Sequence, residues 1–197
     1  TIGSLYLDTP DFRLIRRSLE KPVYKEKLRL RSYGRADREH PVFMELKKKY
    51  RSIVYKRRLT LPYGRALDCL TGDCPWPETQ IGREIGYAMD FYPDLEPRVF
   101  LSYERDSWYA PESGLRITFD DAIRFRTADL TLDSDLWGTA LLRPDQVLME
   151  LKAPGAIPLW MVRLLTEMGL YKTSFSKYGT AYQILLEQEY KGGKRYA

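Results

Sequence analysis

Residues 25–33 alternate with a period of two: Lys25, Lys27, Arg29, Arg31 and Tyr33 fall on one side, Leu28 and Leu30 on the other. An extended chain points successive side chains to opposite faces, so this spacing predicts a β-strand carrying its cations in file. The habit recurs. Residues 42–50 set Phe43, Glu45, Lys47 and Lys49 against Val42, Met44 and Leu46. Residues 53–61 set Val54, Lys56 and Arg58 against Ile53, Tyr55 and Arg57, and the short connection between these runs predicts an antiparallel hairpin. A strand over 2–7 precedes them, and Asp8-Thr9-Pro10-Asp11 reads as the start of a short amphipathic helix over 10–18.

Residues 62–97 turn helical and punctuated, with helices expected over 63–70 and 77–92. Alternation returns at 98–108, where Val99, Leu101, Tyr103 and Arg105 share a side. It continues at 115–120, where Arg116, Thr118 and Asp120 oppose Leu115, Ile117 and Phe119. A further short strand is expected at 122–126, and mostly loop at 129–145. The last strand, 146–152, groups Leu148, Glu150 and Lys152 before Pro154-Gly155 breaks it. Helices over 158–168 and 176–189 and a basic tail at 191–195 complete an α+β chain without internal repeats.

Composition bounds what these elements build. A chain of 197 residues, 44% hydrophobic and 13% aromatic, buries a real core and fits a single domain over 1–197. The +5 net charge, 32 Lys and Arg against 27 Asp and Glu, is a modest excess, so the placement of the cations matters more than their number. Two cysteines and one histidine make neither a disulfide framework nor a good zinc site; reduced thiols in a cytoplasmic protein are the expectation. The most apolar run, 157–165, is interrupted by Arg163, and no signal peptide precedes the first strand, so membrane contact by this domain is not expected.

For one strand alone, the charged side would simply face water. Six strands with the same habit suggest a sheet closing with its charged face inward and helices packed outside. Cations crowded in such a space repel one another unless an anion of comparable charge enters, and a chain of phosphates meets that need. Arginine grips phosphate with a fork and lysine as a point charge. On the same faces Lys27, Arg58 and Tyr103 are candidate substrate contacts. Glu45 and Glu150 are candidate ligands for Mg²⁺ or Mn²⁺, ions that prefer oxygen donors and bridge to substrate phosphates. Glu45 has a second reading, as a partner that neutralises neighbouring lysines. Nucleic acid is disfavoured as a partner, because the cations alternate with apolar residues instead of sharing a surface with exposed aromatics.

Several stretches then resemble the VTC (vacuolar transporter chaperone) domain family. They are Ser4-Leu5-Tyr6-Leu7-Asp8-Thr9-Pro10, Lys25-x-Lys27-Leu28-Arg29-Leu30-Arg31-Ser32-Tyr33-Gly34, Val42-Phe43-Met44-Glu45-Leu46-Lys47-Lys48-Lys49 and Val54-Tyr55-Lys56-Arg57-Arg58. Ser102-Tyr103-Glu104-Arg105, Leu115-Arg116-Ile117-Thr118-Phe119-Asp120, Leu148-Met149-Glu150-Leu151-Lys152 and Ser174-Phe175-Ser176-Lys177-Tyr178 add to the match, in order and across nearly the whole chain. The resemblance implies a triphosphate tunnel metalloenzyme: antiparallel strands closed into a basic tunnel that moves the γ-phosphate of ATP onto inorganic polyphosphate. By motif it implies that Arg29, Arg31, Lys47, Lys56, Arg105 and Arg116 grip phosphates. It places Glu150 on the metal with Lys152 beside it, and Lys177 at the tunnel from the last helix. Ser174 stands where some relatives carry another lysine. Relatives also carry a segment, including a first strand, ahead of the Ser-Leu-Tyr-Leu-Asp-Thr run, so a domain lacking its N-terminal segment is expected. A triphosphatase and a non-catalytic polyphosphate sensor are the rival functions on the same scaffold; the oligomeric state is left open.

Overall fold

In the computed structural model, which describes residues 1–193, the strand buried along its whole length is β1 (Ile2–Asp8). It sits mid-sheet between β2 (Tyr24–Tyr33) and β5 (Glu96–Ala110). From β2 the sheet continues through β3 (Pro41–Tyr50) to β4 (Ile53–Pro62). From β5 it continues to β6 (Leu115–Arg126), whose far edge carries both β7 (Thr139–Ala140) and β8 (Leu148–Lys152). Every pairing is antiparallel. The architecture is an α+β antiparallel sheet with helices, and the sheet is not closed: β4 ends one side and β7 and β8 end the other.

Helices cover the apolar side. Leu5, Leu7, Leu28, Leu30, Val42, Met44 and Leu46 pack under α2 (Tyr63–Thr71) and α3 (Gln80–Phe91), which contribute Tyr63, Ala66, Ile85 and Ala88. Each such leucine, fully withdrawn from water, favours the folded state by about 1.5–3 kcal/mol. A second cluster forms on the opposite face of β1, β5 and β6, where Ile2, Tyr6, Val99, Leu101, Ile123 and Phe125 meet Ile15 of α1 (Arg13–Leu19) and Tyr178, Ala181 and Tyr182 of α5 (Lys177–Gly193). The charged side chains of β2, β3 and β4 continue that second face. The remaining helix, α4 (Leu159–Glu167), buries only Met161 and leaves Leu159, Trp160, Val162 and Leu164 exposed. Among the described residues no helix is long and apolar enough to cross a membrane.

Three local expectations need correction. The two strands expected at 115–120 and 122–126 are one strand, β6, with a bulge: Ala122 takes φ 45° and the register shifts opposite Ser102 and Glu104. The extra residue keeps Asp120 and Phe125 on the same face, although their separation is odd. The first helix begins at Arg13, not at 10, because Thr9 to Phe12 form a turn; Asp8 is still the capping side chain and accepts from the N–H groups of Leu14 (2.8 Å) and Ile15 (3.0 Å). The second long helix starts at Gln80, where Thr79 caps it by accepting from Gly82 N–H, 3.0 Å away. The region 129–145 is mostly loop, as expected, and holds the two-residue β7. Lys194 and Arg195 of the basic tail lie outside the described residues.

Candidate functional site

The registers lay the charged side chains out in rows across the sheet. One row runs Arg58–Glu45–Arg29–Tyr6 over β4, β3, β2 and β1. The next, toward one end of the strands, is Lys56–Lys47–Lys27, and beyond it stand Lys49 and Lys25. Toward the other end Arg31 lies between Phe43 and Ser4. The opposite flank pairs Arg105 with Asp120, Thr118 with Glu150 and Arg116 with Lys152. On a flat sheet β3 and β8 would lie five strand spacings apart, roughly 24 Å, beyond the reach of exposed charges in salt. Yet the charges of Glu150 and Lys152 act on Lys47, and Glu150 also acts on Arg105. The sheet is therefore curled, and its two flanks turn their charges toward one space.

Glu45 is the hub of the β2–β4 flank. It is 1% exposed, yet Lys56 (2.7 Å), Arg58 (2.6 Å), Arg29 (2.7 Å) and Arg31 (3.9 Å) all approach its carboxylate. Burial alone would raise its pKa; Arg29, Lys56, Arg31 and Arg58 outweigh burial and hold it at about 2. Arg29 also donates to the Tyr6 hydroxyl at 2.9 Å. Burial pushes the Tyr6 phenol up, but Arg29, Lys27 and Arg31 bring it below its ordinary value. Lys27 and Lys47 shift down, first through desolvation and then through neighbouring cations, Lys25 and Lys47 on Lys27 and Arg29 on Lys47. Lys47 remains solvent-exposed although the surrounding protein takes up part of its hydration.

Asp120 is the hub of the other flank. Fully buried, it accepts both forks of Arg105 (2.6 and 2.7 Å) and the ammonium of Lys177. Its pKa, which burial would raise, is held low by those two cations. Lys177 opens α5, and the same helix start is fastened at further points. Tyr178 stacks on Tyr6 with centroids 4.4 Å apart and donates to Asp8 at 2.8 Å, and Ser176 accepts from Lys27 at 3.0 Å. Lys177 and Arg105 also lie over the Tyr103 ring, at 4.5 and 5.1 Å from its centre. Burial lifts the Tyr103 phenol against the pull of Arg31 and Arg105.

Glu150 differs from both. Its carboxylate is half exposed and its partner is the still more exposed Lys152, at 3.0 Å. Among the described residues no three Asp, Glu, His or Cys side chains gather into a metal cluster. Magnesium is commonly held by one or two carboxylates together with substrate phosphates and water, and one accessible carboxylate on a cationic face fits that mode. Glu45 does not fit it, because four cations already crowd its oxygens; the geometry supports its second reading, as an internal counter-charge.

Of the sequence candidates, Lys27, Arg29, Arg31, Lys47, Lys56 and Arg58 share the β2–β4 flank, while Tyr103, Arg105, Glu150, Lys152 and Lys177 line the other. Arg116 lies exposed at the far end of β6, 5.9 Å from the centre of the Tyr109 ring. Ser174 is exposed and no described contact ties it to this face; Ser176 takes that place. Tyr6 and Asp120 were not among the candidates. Asp120 had a signal, its alternation in phase with Arg116 and Thr118; for Tyr6 only the register with Arg29 reveals it.

A curled antiparallel sheet flanked by helices, with cations and embedded carboxylates on one face, is the α+β arrangement of the triphosphate-tunnel class, although here the sheet is open. The chain belongs to the VTC domain family, whose model matches residues 1–186. It is also similar in fold to a Bacillus halodurans protein described as a candidate adenylate cyclase: 14% identical, covering 89% of this chain and 78% of that one, with a TM-score of 0.50. No curated protein matches the sequence.

Proposed function

We propose that this domain is a metal-dependent polyphosphate polymerase that transfers the γ-phosphate of ATP to the end of an inorganic polyphosphate chain. The observation that supports it most is the convergence of cations from β2, β3, β4 and β5 and from α5 on one curled face that holds only a few carboxylates. A terminal oxygen of the chain attacks the γ-phosphorus, the bond from that phosphorus to the β,γ-bridging oxygen breaks, and ADP leaves. Arg29, Arg31 and Arg58 grip the triphosphate, and Lys47 and Lys56 hold its γ end and the acceptor. Arg105, Arg116 and Lys177 meet the phosphates from the opposite flank, with Lys27, Tyr103 and Lys152 as further contacts. A Mn²⁺ or Mg²⁺ ion held by Glu150 would neutralise charge on the bridging oxygens. In-line transfer of this kind needs positioning and charge neutralisation, and no protein nucleophile. The domain works in the cytoplasm, on ATP and inorganic polyphosphate. When ATP and Mn²⁺ are incubated with the protein and the phosphate product is sized, long chains are expected. Free phosphate alone would make it a triphosphatase, and tight polyphosphate binding without turnover a sensor.

A further inference from the structure

The two ends of the β2–β4 flank differ in a way that phosphate binding alone does not require. Beyond Lys56–Lys47–Lys27 the end row holds Val54, Lys49 and Lys25, with no ring. The other end holds Tyr33 and Phe43, which stand on the charged face on either side of Arg31, in sequence and across the ladder. Their rings meet edge to face with centroids 5.5 Å apart. The Arg58 guanidinium lies 4.7 Å from the centre of the Phe43 ring. Tyr33 keeps 47% of its surface exposed although it belongs to the strand with the most cations, and against burial the charges of Arg31 and Arg58 hold its phenol below the ordinary value. An exposed ring at the end of a cationic strand, next to an arginine that already lies over Phe43, offers a flat face on which a base can stack.

Resting on the reading of this face as a triphosphate site, we propose that Tyr33 and Phe43, with Arg58, form the nucleobase subsite and so fix which way ATP lies. Tyr33 is two residues beyond Arg31, about 7 Å along the strand, comparable to the reach of a ribose from its α-phosphate. With the base on Tyr33, the α- and β-phosphates fall at Arg31, Arg58 and Arg29, and the γ-phosphate points toward Lys47 and Lys56. The chain then lengthens along the lysine rows. Aromatic faces stack any base, so the subsite selects for a nucleoside without reading its edge.

The test compares two ligands by titration calorimetry: the β,γ-imido analogue of ATP and inorganic triphosphate. Tyr33→Leu is expected to lower affinity for the ATP analogue about tenfold and to leave inorganic triphosphate within about twofold, while Tyr33→Phe keeps both. Equal losses for the two ligands would show that Tyr33 only positions the arginines, and no loss for either would show that the ring is idle; each overturns the inference. Wild-type protein that binds inorganic triphosphate as well as the ATP analogue would sink the subsite alone. Protein that binds neither would sink the triphosphate site beneath it as well.

Discussion

The two faces of one sheet solve the same problem in opposite ways. On the outer face Leu28, Leu30, Met44 and Leu46 are removed from water by α2 and α3. On the inner face Arg29, Arg31, Lys56 and Arg58 are arranged around Glu45, and Arg105 and Lys177 around Asp120. Even within β4 the split holds: Lys56 and Arg58 turn to the buried Glu45, while Arg57 turns outward to Glu84 of α3 at 3.0 Å. The outer face is held by solvent exclusion, which tolerates salt and pH. The inner face is packed by α1 and α5 over part of β1, β5 and β6, but around Glu45 and Asp120 it is held by mutual charge, and any anion that enters there competes with the resident carboxylates. Stability and chemistry are thus assigned to alternate residues of the same strands.

The largest effect should come from the one carboxylate the cations leave accessible. Glu150→Gln keeps size and exposure but removes the charge proposed to hold the metal, a term worth several kcal/mol of transition-state stabilisation. Metal-dependent chain synthesis should fall at least about a hundredfold, while the melting temperature stays near wild type. Full turnover in this variant, measured as phosphate chain formed from ATP, would remove Glu150 from the metal.

Next come two stability lesions that separate the faces. Leu30→Ala, at a fully buried outer position, should cost about 2–5 kcal/mol in denaturant unfolding, with no recovery on adding phosphate. Glu45→Gln should cost about 3 kcal/mol at neutral pH, because it strands four cations around a neutral amide. The second deficit should shrink when inorganic triphosphate is added, since the ligand replaces the lost charge. Glu45 also sets an acid limb. Its pKa is about 2 in the folded protein against 4.5 ordinarily, so its contribution is present above about pH 4.5 and is lost as pH falls toward 2. Unfolding curves over that window should be shallower for Glu45→Gln than for wild type; parallel curves would mean the carboxylate is not ion-paired.

The alternation that made this split was readable in advance, because period two puts residues on faces whatever the partner. Partners were less readable. Glu45 was placed beside lysines, but only the three-strand register shows that four cations reach it. Lys27 meets Ser176 across 149 positions, and the exposed Ser174, two residues earlier, carried the family motif instead. The bulge at Ala122 looked like a strand boundary because an inserted residue flips the apparent alternation. The degree of curl was the least readable: alternation suggests closure, whereas the sheet stays open between β4 and the β7–β8 edge, because curl depends on twist accumulated over several strands and no residue pattern encodes its sum.

The smallest effects test the split within a single strand. Lys56 approaches Glu45 with its side chain 44% exposed, so removing it disturbs the fold little. Lys56→Ala should nevertheless lower chain synthesis by about 10–100-fold, the usual worth of one charge aimed at a developing phosphate charge. Its neighbour Arg57 makes a partly exposed pair with Glu84 on the other side of the sheet, a contact worth about 1 kcal/mol or less. Arg57→Ala should therefore leave synthesis unchanged and shift unfolding by only a few tenths of a kcal/mol, less still at high salt. A loss of synthesis in Arg57→Ala comparable to that in Lys56→Ala would mean that charge on either face serves the reaction, and the division of labour between alternate residues would be wrong.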